Sequence, residues 1–282
     1  MLKKIFSTII CVAMLLTLST SAFAHGVFFD VSDMHTAVGQ EVTVQIGWGY
    51  IHLGHDGSNI TNEANFRGIF VTAPDGTETR LPFRVFHQYQ GRDYPNNPIR
   101  QIPLAQVGTD EFPTGGRNLT YIEVAFTPQS EGYYQVFFLR DRTIPTEGAN
   151  EGRLVRDLVK TYVRVGNPQP TEAMGHGRIS RFNSTEIRPV SDVGRLTTGG
   201  TFEGYVLFRG QPVANQEVSL EIGAHEYVTV NTNAQGRFIL TLPAEAGDYA
   251  IRVTRDWNWG GPMYGQTFTY YREVHILQIA VQ

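Results

Sequence analysis

Histidine is the residue type in this sequence best suited to chemistry, and five of its eight histidines fall early: His25, His35, His52, His55 and His87. His25 directly follows Ala22-Phe23-Ala24, a small-x-small pattern of the kind cut by signal peptidase. Cleavage there leaves a free α-amine and an imidazole on one residue, two nitrogens placed to chelate a transition metal. The α-amine titrates at about 8, so a metal displaces its proton at modest cost. A second imidazole nearby would complete a T-shaped or square nitrogen set, the preference of Cu(II) and Ni(II). The alternative is that the cut merely happens to fall before a histidine.

His52-Leu53-Gly54-His55-Asp56 comes next. Two histidines three apart on a turn can converge on one ion, with Gly54 letting the backbone fold tightly between them. Asp56 and Glu63 are close enough in sequence to orient an imidazole from behind. A solvated polar loop explains the same residues equally well. His87 follows the apolar run Phe83–Phe86 and is expected at a strand end, where a surface histidine is the commoner role. The candidate ligands are therefore His25, His52, His55 and His87, for Ni, Co or Cu. His35 and His275 have no assigned role, His275 reading as a residue of the strand Val274–Val281, and His176 between two glycines is a weaker candidate.

Other chemistry is sparse. There is no nucleophile elbow, phosphate loop, paired-cysteine zinc site or His-Glu-x-x-His. The single cysteine, Cys11, lies in the leader, so thiol catalysis and disulfides are both excluded from a chain starting at His25. The expectation is a protein that is not an enzyme. A copper oxidase with an N-terminal histidine brace fits His25-Gly26 superficially but not a chain of paired sandwiches. Trp257, Trp259, Tyr264, Tyr270 and Tyr271 form an aromatic group that can stack on sugars, although packing is its commoner use.

The elements that must hold these residues are strands. Lys3 and Lys4, the apolar stretch from Ile5 to about Leu18 and Ala22–Ala24 make up a signal peptide over 1–24, too short for a comfortable membrane span. Removing the two lysines leaves 21 basic against 27 acidic residues, and a net charge of −4 becomes −6. That balance argues against nucleic acid or an anionic membrane surface and mildly favours cations. Helical periodicity is nearly absent. Alternating or apolar runs read as strands at Glu41–Trp48, Gly68–Ala73, Arg80–Phe86, Leu119–Thr127, Tyr133–Arg140 and Val159–Val165. Ala73-Pro74-Asp75-Gly76-Thr77 joins the second to the third as a hairpin, and residues 88–116 read as loop-rich. Gly166-Asn167-Pro168-Gln169-Pro170 reads as a linker. Beyond it, strands are expected at Thr201–Phe208, Glu217–Ile222, Tyr227–Val230, Arg237–Leu242 and Asp248–Thr254. The expected fold is all-β: two Ig-like sandwiches in tandem, over 25–166 and 181–282, joined by a linker over 167–180.

Several segments carry a family likeness: Ser184-Thr185-Glu186-Ile187-Arg188-Pro189, Gly210-Gln211-Pro212-Val213-Ala214, Thr232-Asn233-Ala234-Gln235-Gly236-Arg237-Phe238 and Ala246-Gly247-Asp248-Tyr249. With the post-signal His25 and the Gly54-His55 pair after the first long strand, the chain resembles the periplasmic nickel/cobalt-uptake accessory proteins. These were long catalogued as a domain of unknown function and are often encoded beside energy-coupling-factor transporters. The second half is similar to Ig-like modules of the carboxypeptidase-regulatory type. The resemblance implies capture of a divalent transition metal with the mature N-terminus as a ligand, a periplasmic or secreted location, and a membrane metal transporter as partner. From a different class, a secreted or surface adhesion or carbohydrate-binding protein presenting aromatic loops remains the alternative.

Overall fold

The computed structural model describes residues 26–50, 54–55, 66–90, 100–102, 117–145, 151–168, 184–223, 226–263 and 266–282. Every regular element among them is a strand, and among them no helix is long and apolar enough to cross a membrane. The strands form three stacked sheets.

The first sheet takes its order from β1 (Gly26–Val31), β3 (Val42–Tyr50), β9 (Arg117–Phe126), β7 (Arg84–Gln90) and β8 (Arg100–Ile102), with β4 (Gly54–His55) added beside the end of β3. The clean alternation in β3 is the cause of its burial pattern. Val42, Val44 and Ile46 are fully enclosed, while Thr43 and Gln45 are only partly covered. The hairpin forms as its sequence implies. Ala73 N donates to Thr77 O at 2.8 Å, Thr77 N to Asp75 Oδ1 at 2.8 Å, and Gly76 takes a φ of 83° that few side chains tolerate.

The expected strand Arg80–Phe86 is in fact two. β6 (Glu78–Arg80) pairs with β5 (Phe66–Thr72) in the middle sheet, and β7 belongs to the first sheet. Leu81 N still donates to Ile69 O at 2.8 Å, but Pro82 has no N–H to continue the ladder, and the chain crosses between layers there. His87 consequently lies inside β7, not at a strand end, and Arg100–Ile102 inside the loop-rich stretch pairs with it as β8.

The middle sheet holds both halves of the chain. Its order is β16 (Glu226–Asn231), β15 (Glu217–Gly223), β18 (Gly247–Trp257), β20 (Gln266–Val281), β11 (Glu151–Val165), β10 (Gly132–Pro145), β5 and β6. Two short strands flank it: β2 (His35–Thr36) beside β11, and β19 (Gly261–Met263) beside β20. The halves meet where β11 runs parallel to β20, from Glu151 opposite Thr267 to Lys160 opposite Leu277. The third sheet, β12 (Thr185–Pro189), β13 (Thr201–Phe208), β14 (Gln211–Pro212) and β17 (Arg237–Thr241), comes entirely from the second half.

Two apolar cores result, on opposite faces of the middle sheet. The first packs Val27, Phe29, Val44, Ile46, Ile122 and Val124 against Val136, Phe138, Val159 and Val163. The second packs Ile187, Phe202, Val206, Phe238 and Leu240 against Val218, Ile251, Leu277 and Ile279. Neighbouring residues of β20 split between them, Ile276 entering the first and Leu277 the second. A strand covered on both faces needs apolar residues at consecutive positions, which is what Ile276-Leu277 and Ile279-Ala280-Val281 supply. Gln278 serves another purpose. Its side-chain amide takes the place of a strand against the free edge of β1, accepting from Phe29 N at 2.8 Å and donating to Phe29 O at 2.5 Å.

Candidate functional site

One end of the first sheet gathers the start of β1, the end of β3, β4, the end of β7 and the start of β9. Gly26 stands opposite Gly49, and Gly49 in turn opposite His55, so these three residues form one cross-strand row. With neighbouring strands about 4.8 Å apart, the backbone at His55 lies roughly 10 Å from that at Gly26, the residue next to His25. His87 is opposite Thr120 on β9 and Ile102 on β8, toward the same end of the sheet. His25 and His52 fall outside the described residues, as do Asp56, Glu63, His176 and His225. Among the described residues no three His, Cys, Asp or Glu side chains cluster around a common point.

The start of β1 is held by the second half of the chain. A Cβ at Gly26 would lie 2.7 Å from Nη2 of Arg252 on β18, so the position accepts little beyond glycine without displacing that guanidinium. Arg252 is buried, with Nη2 3.7 Å from Glu221 Oε2 on β15. The end of β3 is anchored from below. Trp48, opposite Val27, covers the guanidiniums of Arg140 and Arg142 on β10, whose central carbons lie 4.5 and 4.8 Å from its ring centroid. Both arginines converge on Asp157 of β11, each with a contact of 2.8 Å. Burial pushes the Asp157 carboxyl up, but Arg142 and Arg140 outweigh it and hold the group below the usual carboxylate range. On the opposite face Asp141 joins Arg67 and Arg156 in the same way, at 3.0 and 2.7 Å.

Sequence reasoning gave no role to a second polar cluster, between β11, β12 and β20. Lys160, the one lysine left after Lys3 and Lys4, is fully buried with Nζ 3.5 Å from Glu186 Oε1. Arg188 Nη2 approaches the other oxygen of Glu186 at 3.4 Å. His275 is buried beside them. Its Nδ1 lies 2.8 Å from the carbonyl oxygen of Thr185 and 3.2 Å from Ile187 N, and Nε2 has no hydrogen-bond partner among the described residues. Burial, reinforced by Lys160, pushes the His275 imidazole well below its ordinary range, so it stays neutral and serves structure. His35 meets Gln282 Nε2 at 2.7 Å and lies on β2, beside β11 of the middle sheet.

Burial likewise pushes the Lys160 amine down to about 8 from 10.5, with Glu186 pulling up and Arg188 down. Between pH 8 and 10.5 the unfolded chain therefore binds a proton that the folded chain lacks, and stability rises with pH across that window. In urea titrations the wild type is expected to gain stability from pH 8 to 10.5 relative to Lys160→Met. Parallel pH profiles for the two would contradict a buried amine.

These elements define an all-β protein of stacked sheets, with Gly54-His55 and the end of the His87 strand at one end of the first. The chain belongs to the DUF4198 family, a domain of unknown function, whose model matches residues 22–255 and so crosses both cores. No curated protein matches it in sequence. Among solved structures it is similar to a region of a 1.5-MDa bacterial ice-binding adhesin, at 12% identity and a TM-score of 0.23, over 92% of this chain and 65% of that one. It is similar also to the Escherichia coli adhesin FdeC, at 14% identity and a TM-score of 0.21, over 91% of this chain and 64% of that one. A two-domain fibronectin type III segment of chicken tenascin overlaps at 10% identity and a TM-score of 0.20, over 89% of this chain and 97% of that one. The chain thus spans just under two thirds of each of the two adhesin chains. Overlaps this loose carry no functional inference.

Proposed function

We propose that this protein is an exported, non-enzymatic carrier of a divalent transition metal, nickel, cobalt or copper, which it holds as cargo for a membrane uptake system. The observation that carries the reading is the row Gly26–Gly49–His55, which sets the residue after His25 in line with the Gly54-His55 pair. The strand bearing His87 ends at the same end of the sheet. Sequence adds the signal pattern ending at Ala24, which frees the His25 amine, and the likeness to nickel/cobalt-uptake accessory proteins. An amine and imidazoles make a nitrogen donor set matched to these metals rather than to Ca²⁺ or Mg²⁺. The acidic net charge favours approach of a cation.

The test is calorimetry on a protein starting at His25 and on the same protein with one glycine added before it. The addition moves the amine away from the His25 ring and is expected to weaken Ni(II) or Cu(II) binding by more than about tenfold. Equal affinities would remove the N-terminus from the site, and the absence of binding by either form would end the carrier reading.

A further inference from the structure

A different end of the molecule carries an aromatic ledge with a cationic border. Trp257 at the end of β18 faces Tyr271 near the start of β20, and their rings stack at 5.2 Å. Phe208, at the end of β13, lies 5.5 Å from Trp257 and extends the row. Trp259 stands edge-on to Tyr271 at 6.0 Å and to Phe268 at 5.8 Å, yet it is 56% exposed. A tryptophan fixed by two aromatic neighbours and still open to solvent presents a rigid apolar surface, with little order left to lose on binding.

The border supplies charge. The Arg255 guanidinium lies 4.5 Å from the Phe208 centroid and 5.0 Å from that of Trp257, and the Arg209 guanidinium lies 5.1 Å from Phe208. Arg255 feels the Glu273 carboxylate across the strand pair, but among the described residues neither guanidinium closes an ion pair within 4 Å. Glu273, opposite Arg255 across the strand pair, gives its oxygens to Thr185 and Tyr271 instead. Arg272 shows the contrast, since its guanidinium is paired with Asp256 at 2.7 and 2.9 Å.

We propose that this ledge binds an acidic oligosaccharide. The C–H face of a pyranose stacks on the exposed Trp259, and a uronate carboxylate meets the guanidiniums of Arg255 and Arg209, whose planar forks suit it. Two arginines are too few to follow a nucleic-acid backbone, and the chain as a whole is acidic. That net charge also makes the ligand informative, because bulk electrostatics repel a polyanion and retention must come from the local site.

The experiment titrates oligogalacturonate into the mature chain, following tryptophan fluorescence and calorimetry, with dextran and single-stranded oligothymidine in parallel. The oligogalacturonate is expected to bind, and Trp259→Ala and Arg255→Gln each to weaken it by about tenfold or more while far-UV circular dichroism and melting stay unchanged. Metal chelators are expected to have no effect, which separates this site from the proposed metal site. No binding of oligogalacturonate, binding untouched by both variants, equal binding of dextran, or preference for oligothymidine would each overturn the assignment.

Discussion

A chain ending after residue 265 is expected to lose its fold altogether. β20 is the strand on which both cores depend. It pairs with β11 on one side and along its length with β18 on the other. Ile276 leaves the first core and Leu277, Ile279 and Val281 leave the second when it is removed. The loss reaches further through its polar side chains. Gln278 no longer covers the edge of β1, and Glu273 no longer accepts from Thr185 N and Oγ1 at 2.8 and 2.9 Å. Two long strands would be left with open edges and half-covered faces, a state prone to aggregation rather than to partial folding. Circular dichroism and thermal melting of the truncated chain check this: no cooperative transition is expected. A cooperative melt with the first core intact would show that the halves fold independently despite sharing a sheet.

Replacing Asp157 by alanine is the second large effect. Its carboxylate is 5% exposed and takes contacts from Arg140, also 5% exposed, and from Arg142. Removing one partner of a buried pair costs about 3–5 kcal/mol, because a charge remains in low dielectric without its counter-ion. Trp48 still covers both guanidiniums and softens the loss but cannot replace a carboxylate. Asp256→Ala is the control. Its pair with Arg272 is half in solvent, with side chains 39% and 35% exposed, and exposed pairs contribute about 1 kcal/mol or less. Urea unfolding of the two variants is expected to separate them clearly. A loss for Asp157→Ala no larger than for Asp256→Ala would mean that water reaches the Arg140–Asp157 pair.

Local patterns carried much of this architecture and little of its connectivity. Thr201–Phe208 reads from sequence with the bounds that it has in the fold, and Glu41–Trp48 lies within a residue or two of β3, because alternation is set by which face each side chain covers. The hairpin at Asp75-Gly76 is legible for the same local reason. The pairing of β11 with β20 is not, since parallel strands more than a hundred residues apart leave no local trace. Consecutive apolar residues at the end of the chain were the available sign that this strand is covered twice. Lys160 and Arg140 illustrate another limit. A charged residue within a strand reads as a solvent face until its partner on another strand, Glu186 or Asp157, is known. Among the candidate ligands, the order of residues showed that His25, His52, His55 and His87 lie early in the chain. The register adds that the segments bearing His55 and His87 reach one end of one sheet.

That sheet end is the centre of the functional account, and paramagnetic broadening addresses it directly. Cu(II) added in less than equimolar amount to the isotope-labelled mature protein relaxes backbone amides close to the ion. The account predicts early loss of the amide signals of Gly26, Gly49, Gly54 and His55, with those of β12, β13 and β17 unchanged. Signals lost uniformly, or first in the second half of the chain, would contradict a metal site at the N-terminus.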